Sequence, residues 1–259
     1  MLAFLLAFWL QSAGRVGPAG QLVASLDMAG DRPFEAGDES RHADAPVEEW
    51  LFTSWAGGGA SSLGVISGYR IVGTTAWYWA AVARPGASLI HVTEWNVPRR
   101  ADPLLVKADG LWAEHTCDAP MEQWTVTNET YATALENPDD ALGRAYGTPT
   151  AVAFDLEWYA TAAPSGVESG YEQVGVVHGV IELAGTPGLH LEEAPAHRWH
   201  RWATHLAPVQ IPEAYAHGGV RAPFAFPDGT TSDWALTPDG WRALPLTRAA
   251  SRTERTTPR

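Results

Sequence analysis

The stretch Val152-Ala153-Phe154-Asp155-Leu156-Glu157-Trp158-Tyr159 decides the fold. Its large apolar residues Val152, Phe154, Leu156 and Trp158 alternate with Ala153, Asp155, Glu157 and Tyr159. A period of two belongs to a strand with one face in a core and the other toward solvent. Outward from this segment the period recurs. Thr74 to Ala83 puts Trp77 and Trp79 on one face and Tyr78 on the other, and Leu89 to Val97 and Trp124 to Thr130 share the same β-branched and aromatic character. Gly170 to Leu183 is a long strand pattern interrupted by Gly175 and Gly179, and glycines inside a strand mark bends, bulges or close backbone approach. Arg84-Pro85-Gly86, Ala108-Asp109-Gly110, Pro227-Asp228-Gly229 and Pro238-Asp239-Gly240 supply the turns. Only Asn137 to Arg144 reads as a helix, with Asn137 as cap, Pro138 at the first position and two acids in the first turn. The expected fold is all-β and antiparallel, a barrel or a pair of barrels, with one short helix.

The 259 residues are enough to bury a core, and thirteen of them are tryptophan. Tryptophan is broad and apolar with a single N–H donor, suited to lining an apolar cavity that still needs a polar handle. Thirty acids against seventeen bases give a net charge of -13, and Lys107 is the one lysine. Nucleic acid is therefore not an expected partner, because phosphate binding needs a basic footprint. Cys117 is the single cysteine, which excludes an intramolecular disulfide framework and a thiolate zinc site. Leu2 to Leu10 is apolar but far short of the roughly 20 residues of a bilayer span, so no integral membrane span is expected. Small residues Ser12, Ala13 and Gly14 follow it and no Lys or Arg precedes it. The expected location is the cytoplasm, with secretion through a signal peptide as the alternative. Residues 1–49 hold eight acids and three bases, and Gly30 to Pro46 is punctuated by Pro and Gly. That segment is expected to be disordered or loosely attached, the body to begin near Trp50, and the basic stretch 247–259 to be a disordered tail.

Three groups of residues are candidates for chemistry. Ala196-His197-Arg198-Trp199-His200-Arg201-Trp202-Ala203-Thr204-His205 packs three histidines, two tryptophans and two arginines into ten residues. Histidine titrates near neutral pH and a tryptophan face stabilises a cation, so this composition suits proton handling. On a strand, His200 and Trp202 share a face with Arg198 while His197, Trp199 and His205 point the other way. A metal site would need three of His197, His200, His205 and His217 to converge against that alternation, and none is expected. Asp155 and Glu157 lie two residues apart on one strand face, roughly 7 Å from each other. Burial of such a pair would raise one pKa and supply a neutral acid; otherwise the two simply face solvent. The third group is aromatic: Trp77-Tyr78-Trp79 together with Trp95, Trp112, Trp124 and Trp158, either core residues or the lining of a cavity for a large hydrophobic ligand. No phosphate loop, dinucleotide glycine motif, GxSxG elbow or HExxH is present.

The order of several short motifs resembles a known family. They are Gly68-Tyr69, Trp77-x-Trp79, Gly110-Leu111-Trp112-Ala113-Glu114-His115, Pro120-Met121-Glu122-Gln123-Trp124-Thr125-Val126, Phe154-Asp155-Leu156-Glu157-Trp158, Gly170-Tyr171-Glu172-Gln173 with Val177-His178-Gly179, and Arg198-x-His200-x-Trp202. Together they look like actinobacterial members of the lipocalin-like superfamily of carotenoid 1,2-hydratases and AttH proteins, over residues 50 to 242. The resemblance implies two consecutive lipocalin-like barrels, at 50–150 and 151–246. It also implies a cofactor-independent lyase or isomerase, a hydratase or a cyclase including Diels-Alder-type ring closure, acting on a lipophilic isoprenoid or polyketide. His200 and Trp202 match the family's proton-handling His-x-Trp pair, and Asp155 or Glu157 would act as an acid if buried. Trp77, Trp79, Trp112, Trp124, Trp158 and Tyr171 would bind the substrate, a hydrophobic small molecule. The family's second pair, Tyr-x-Asp, has no counterpart: Tyr215-Ala216-His217 and Phe224-Ala225-Phe226 stand in that region. The alternative function is non-catalytic binding of a hydrophobic metabolite.

Overall fold

A computed structural model describes residues 32–58, 61–100, 104–207, 220–237 and 240–244. Its strands are β1 (Val47–Ala56), β2 (Leu63–Val72), β3 (Thr75–Ala83), β4 (Leu89–Pro98), β5 (Leu105–Ala108), β6 (Leu111–Ala119) and β7 (Gln123–Leu135). There follow β8 (Thr148–Ala160), β9 (Ser165–Val167), β10 (Gly170–Leu183), β11 (Leu189–Ala203), β12 (Val220–Ala225), β13 (Thr231–Thr237) and β14 (Gly240–Leu244). All the pairings are antiparallel. The Asn137 segment is a 3-10 turn, Pro138–Leu142, shorter than a helix, and Asn137 caps it by accepting from the Asp139 N–H at 3.2 Å.

The large sheet runs β4-β3-β2-β1-β11-β10-β8-β7-β6-β5 and closes where β4 also pairs with β7 through Leu89–Leu135, Ile90–Ala134 and His91–Thr133. The all-β, antiparallel, barrel-like architecture expected from the alternation is therefore present. Strands from both 50–150 and 151–246 enter this one ring, because β1 pairs with β11 and β7 with β8 across the expected division. β12, β13 and β14 form a separate three-stranded sheet laid on the outer face of β1 to β3. Trp241 Nε1 donates to the Ser54 carbonyl there at 3.0 Å.

Alternation sorts the core into two layers. Trp50, Phe52, Val65, Tyr69, Tyr78, Val92, Trp124, Val126, Phe154, Leu156 and Trp158 fill the ring. Leu51, Ile66, Trp77, Trp79, Trp199, Phe224, Trp234 and Trp241 pack between the ring and the small sheet. The tryptophan excess thus serves mainly that second layer, and the ring interior is full. A cavity inside it, bounded by Phe52, Ser54, Val65, Ser67 and Trp158, has about 10 Å3, the room of one water-sized sphere. Gly68 shows how tightly indoles are seated: a Cβ there would overlap the Trp79 ring.

The segment 32–46 crosses one end of the ring as a strap. Phe34 lies 4.9 Å from the Tyr171 ring, and Ala36–Glu39 makes a 3-10 turn that buries Asp38 and Glu39. The acidic stretch expected to be loosely attached is therefore tied down over 32–49, because Glu39 and Glu49 pair with the buried Arg198 and Arg70 and Glu48 is hydrogen-bonded with the buried His200. Residues 1–31, the tail 247–259, Tyr215, His217 and the Pro238-Asp239 turn lie outside the described residues. Among the described residues no helix is long and apolar enough to cross a membrane.

Candidate functional site

The strapped end of the ring gathers most of the buried charge. β11 puts Arg198, His200 and Trp202 toward this end, and its register with β1 sets Trp50 opposite His200 and Glu48 opposite Trp202. β10 sets Tyr171 beside His200 and Gln173 beside Arg198. Buried charges are tolerated only when paired and hydrogen-bonded, and each of these is. Arg198 donates to Glu39 at 2.5 and 3.1 Å and to Gln173 at 2.7 and 3.1 Å, and lies over the Trp158 and Trp124 rings at 4.9 and 5.5 Å. Glu39 also accepts from the Met121 N–H at 2.9 Å and the Tyr171 hydroxyl at 2.6 Å. Burial opposes ionisation of Glu39, yet Arg198 holds its pKa below the usual carboxylate range.

His200 is fully buried. Its Nε2 lies 2.9 Å from Glu48 Oε1, its Nδ1 lies 3.3 Å from the Tyr171 hydroxyl, and its ring stacks on Trp50 at 4.5 Å. His42, on the strap, shares the same Glu48 oxygen through Nδ1 at 3.0 Å and stacks on Trp202 with 3.7 Å between centroids. Burial drives the His200 pKa down, against the pull of Glu48. Burial also opposes the charge on Glu48, but hydrogen bonds from His200 and His42 bring it down to about 2. The two nitrogens and the carboxylate oxygen lie within 4.8 Å of one another, a donor set of metal-ligand type. Of the four histidines from which three would have had to converge, His200 belongs to this set; His197 faces outward to Glu172 with Trp199, His205 is exposed, and His217 is outside the described residues.

The other expected site residues scatter. Trp202 joins His42 at the strapped end. Asp155 and Glu157 are exposed on the outer face of β8, with Glu157 accepting from Tyr159 at 2.7 Å, so the condition for an acid role is not met. Trp77 and Trp79 are packed outside the ring with Arg70 between them and Phe226. Both are buried in the layer beneath the small sheet. Trp124 and Trp158 are wholly buried beside Arg198, and Tyr171 is committed to Glu39. Trp112 alone lines an accessible depression. It is 37% exposed at an open groove of about 720 Å3 at the far end of β6 to β8, together with Tyr131, which is 75% exposed.

Sequence reasoning missed Glu39, His42 and Glu48, all in a stretch read as peripheral. A signal existed: an Arg198-His200 face turned into a barrel demands buried acids. It also missed two further groups. Glu49, under the small sheet, bridges Arg70, at 2.5 Å, and Arg201. Burial opposes its charge, but Arg201 and Arg70 bring its pKa down to about 2. Inside the ring, His115 Nε2 lies 2.8 Å from Ser67 Oγ, which contacts Tyr78, and burial pushes the His115 pKa down to about 3. Compared with known proteins, the chain matches no family model, no curated protein and no solved structure.

Proposed function

We propose that the chain is a lyase or isomerase that works by proton transfer from His200 at the strapped end of the barrel, on a lipophilic isoprenoid or polyketide. One observation carries this: His200 faces two hydrogen-bond acceptors. At 2.6 Å the Tyr171 proton belongs to Glu39, so Tyr171 can only accept from His200, as Glu48 does. A neutral imidazole has one N–H and satisfies one of them; a second proton satisfies both. Burial favours the neutral form and the partners favour the charged one, and such opposition makes a group that takes and returns a proton. The partly exposed Trp202 ring beside it suits a cationic intermediate. The substrate class comes from the motif resemblance. With the ring interior filled, the substrate would meet His200 from the side of His42 and Trp202, which are partly exposed, and no cofactor enters the scheme.

The test is turnover. The chain is incubated with lycopene and, separately, with a polyene polyketide, and hydrated or isomeric products are sought by mass spectrometry. A product is expected, and His200→Gln should lower its rate roughly 100-fold or more with the circular dichroism spectrum unchanged. Wild-type rates in that variant would remove His200 from the chemistry.

The Trp112 groove favours a second reading, non-catalytic binding of a hydrophobic metabolite, since its volume is in the range of small-molecule sites. Quenching of tryptophan fluorescence by an apolar dye, lost in Trp112→Ala, would support it; equal quenching in the variant would count against it.

A further inference from the structure

We infer that His42, Glu48 and His200 form a binding site for a divalent transition-metal ion, with zinc the representative occupant. Three ligand atoms of the right kind converge from three separate segments: Nδ1 of His42 on the strap, Oε1 of Glu48 at the start of β1, and Nε2 of His200 near the end of β11. The Nδ1–Oε1 and Nε2–Oε1 separations are 3.0 and 2.9 Å. A tetrahedral zinc ion with bonds of about 2.0–2.2 Å separates its ligand atoms by about 3.4 Å, so the two contacts on Oε1 need widen by only about half an ångström.

The surroundings orient these atoms as ligands. Histidines that bind metal through one ring nitrogen almost always engage the other, which fixes ring and tautomer. His200 Nδ1 is engaged by Tyr171, whose hydroxyl is fixed by Glu39, and the His42 ring is held flat against Trp202 at an interplanar angle of 6°. In the tautomer with its hydrogen on Nδ1 toward Tyr171, His200 turns an Nε2 lone pair at Glu48 Oε1, and a cation between the two atoms makes that contact attractive. A metal ion does so without charging the imidazole. Other charge at the site comes from Arg41, whose Nε is 3.9 Å from Glu48 Oε2, while Arg198 is matched by Glu39. Three protein ligands leave at least one position open, as in metal sites that take an exchangeable ligand.

The site shares His200 with the proposed reaction but rests on separate ground, and the ion would occupy the position the proton uses. The test contains no substrate, so each idea can fail without the other. The full chain, stripped with chelator, is titrated with zinc by calorimetry and with cobalt(II) by visible absorption. One ion per chain is expected, with ligand-field bands of a low-coordinate nitrogen and oxygen site. His42→Ala, a change on the strap where the side chain is partly exposed, should weaken binding roughly tenfold or more. Glu48→Gln should do the same, and the His42 variant decides the matter if Glu48→Gln fails to fold. Absence of binding to the wild-type chain, or binding unchanged in His42→Ala, overturns the site.

Discussion

Glu39 and Arg198 stand 159 residues apart in the chain and meet in a two-point ion pair inside the end of the barrel. The pair ties the N-terminal strap to β11 and orders the residues around His200. Removing one member of a buried pair strands the other charge, which costs about 3–5 kcal/mol. Glu39→Ala should therefore lower stability to urea by about that amount, with Tyr171 and Trp124 losing an acceptor as well. A change below about 0.5 kcal/mol would mean that the strap is not fastened there.

Acid should destabilise the chain, with Glu49 contributing beside Glu48. The Glu49 pKa in the folded state lies at about 2, below the ordinary 4.5, so its ion pairs with Arg201 and Arg70 stabilise fully above pH 4.5. That stability is lost as the pH falls from 4.5 toward 2. Denaturation curves at stepped pH should show the loss, and Glu49→Gln should be less stable at pH 7 with a flatter profile below 4.5.

His115 acts in a different window. Burial brings its folded pKa to about 3 from 6.5, so the unfolded chain takes up a proton first and stability falls as the pH drops below 6.5. His91, buried against the Pro223 carbonyl and lowered to about 4, acts the same way. Replacing His115 with Gln should flatten the slope between pH 6.5 and 4.5 and leave the Glu49 region intact. An unchanged slope would show that His115 reaches solvent.

Gly68 should resist substitution. An added methyl overlaps the Trp79 indole, which is itself enclosed by Phe226 and Arg70 and cannot retreat. Overpacking of this kind costs about 1–3 kcal/mol, and Gly68→Ala should lower the melting temperature accordingly. A variant of wild-type stability would show slack between the ring and the small sheet.

Much of the fold was legible because alternation is a local signal. The Val152 to Tyr159 pattern gave β8 and its inward face, Gly170 to Leu183 matched β10 at both ends, and the turns at Gly86 and Gly110 carry the positive φ their glycines imply. Closure was not legible. That β4 reaches β7 and β1 reaches β11 depends on pairings far apart in sequence, and the second tryptophan layer exists only because β12 to β14 fold back over β1 to β3. At the site, Arg198, His200 and Trp202 were readable as one face of a strand. Their partners were not: Glu39 and Glu48 look like solvated acids until the buried Arg198 and His200 are placed against them, and a local pattern carries no information about that distance.

Proton transfer at His200 is the central claim, and the source of hydrogen in the product tests it most directly. Turnover of a lipophilic polyene in deuterated water should leave one solvent deuterium on carbon, with the labelled product lost in His200→Gln. A hydrated product free of solvent deuterium on carbon would contradict the role of His200.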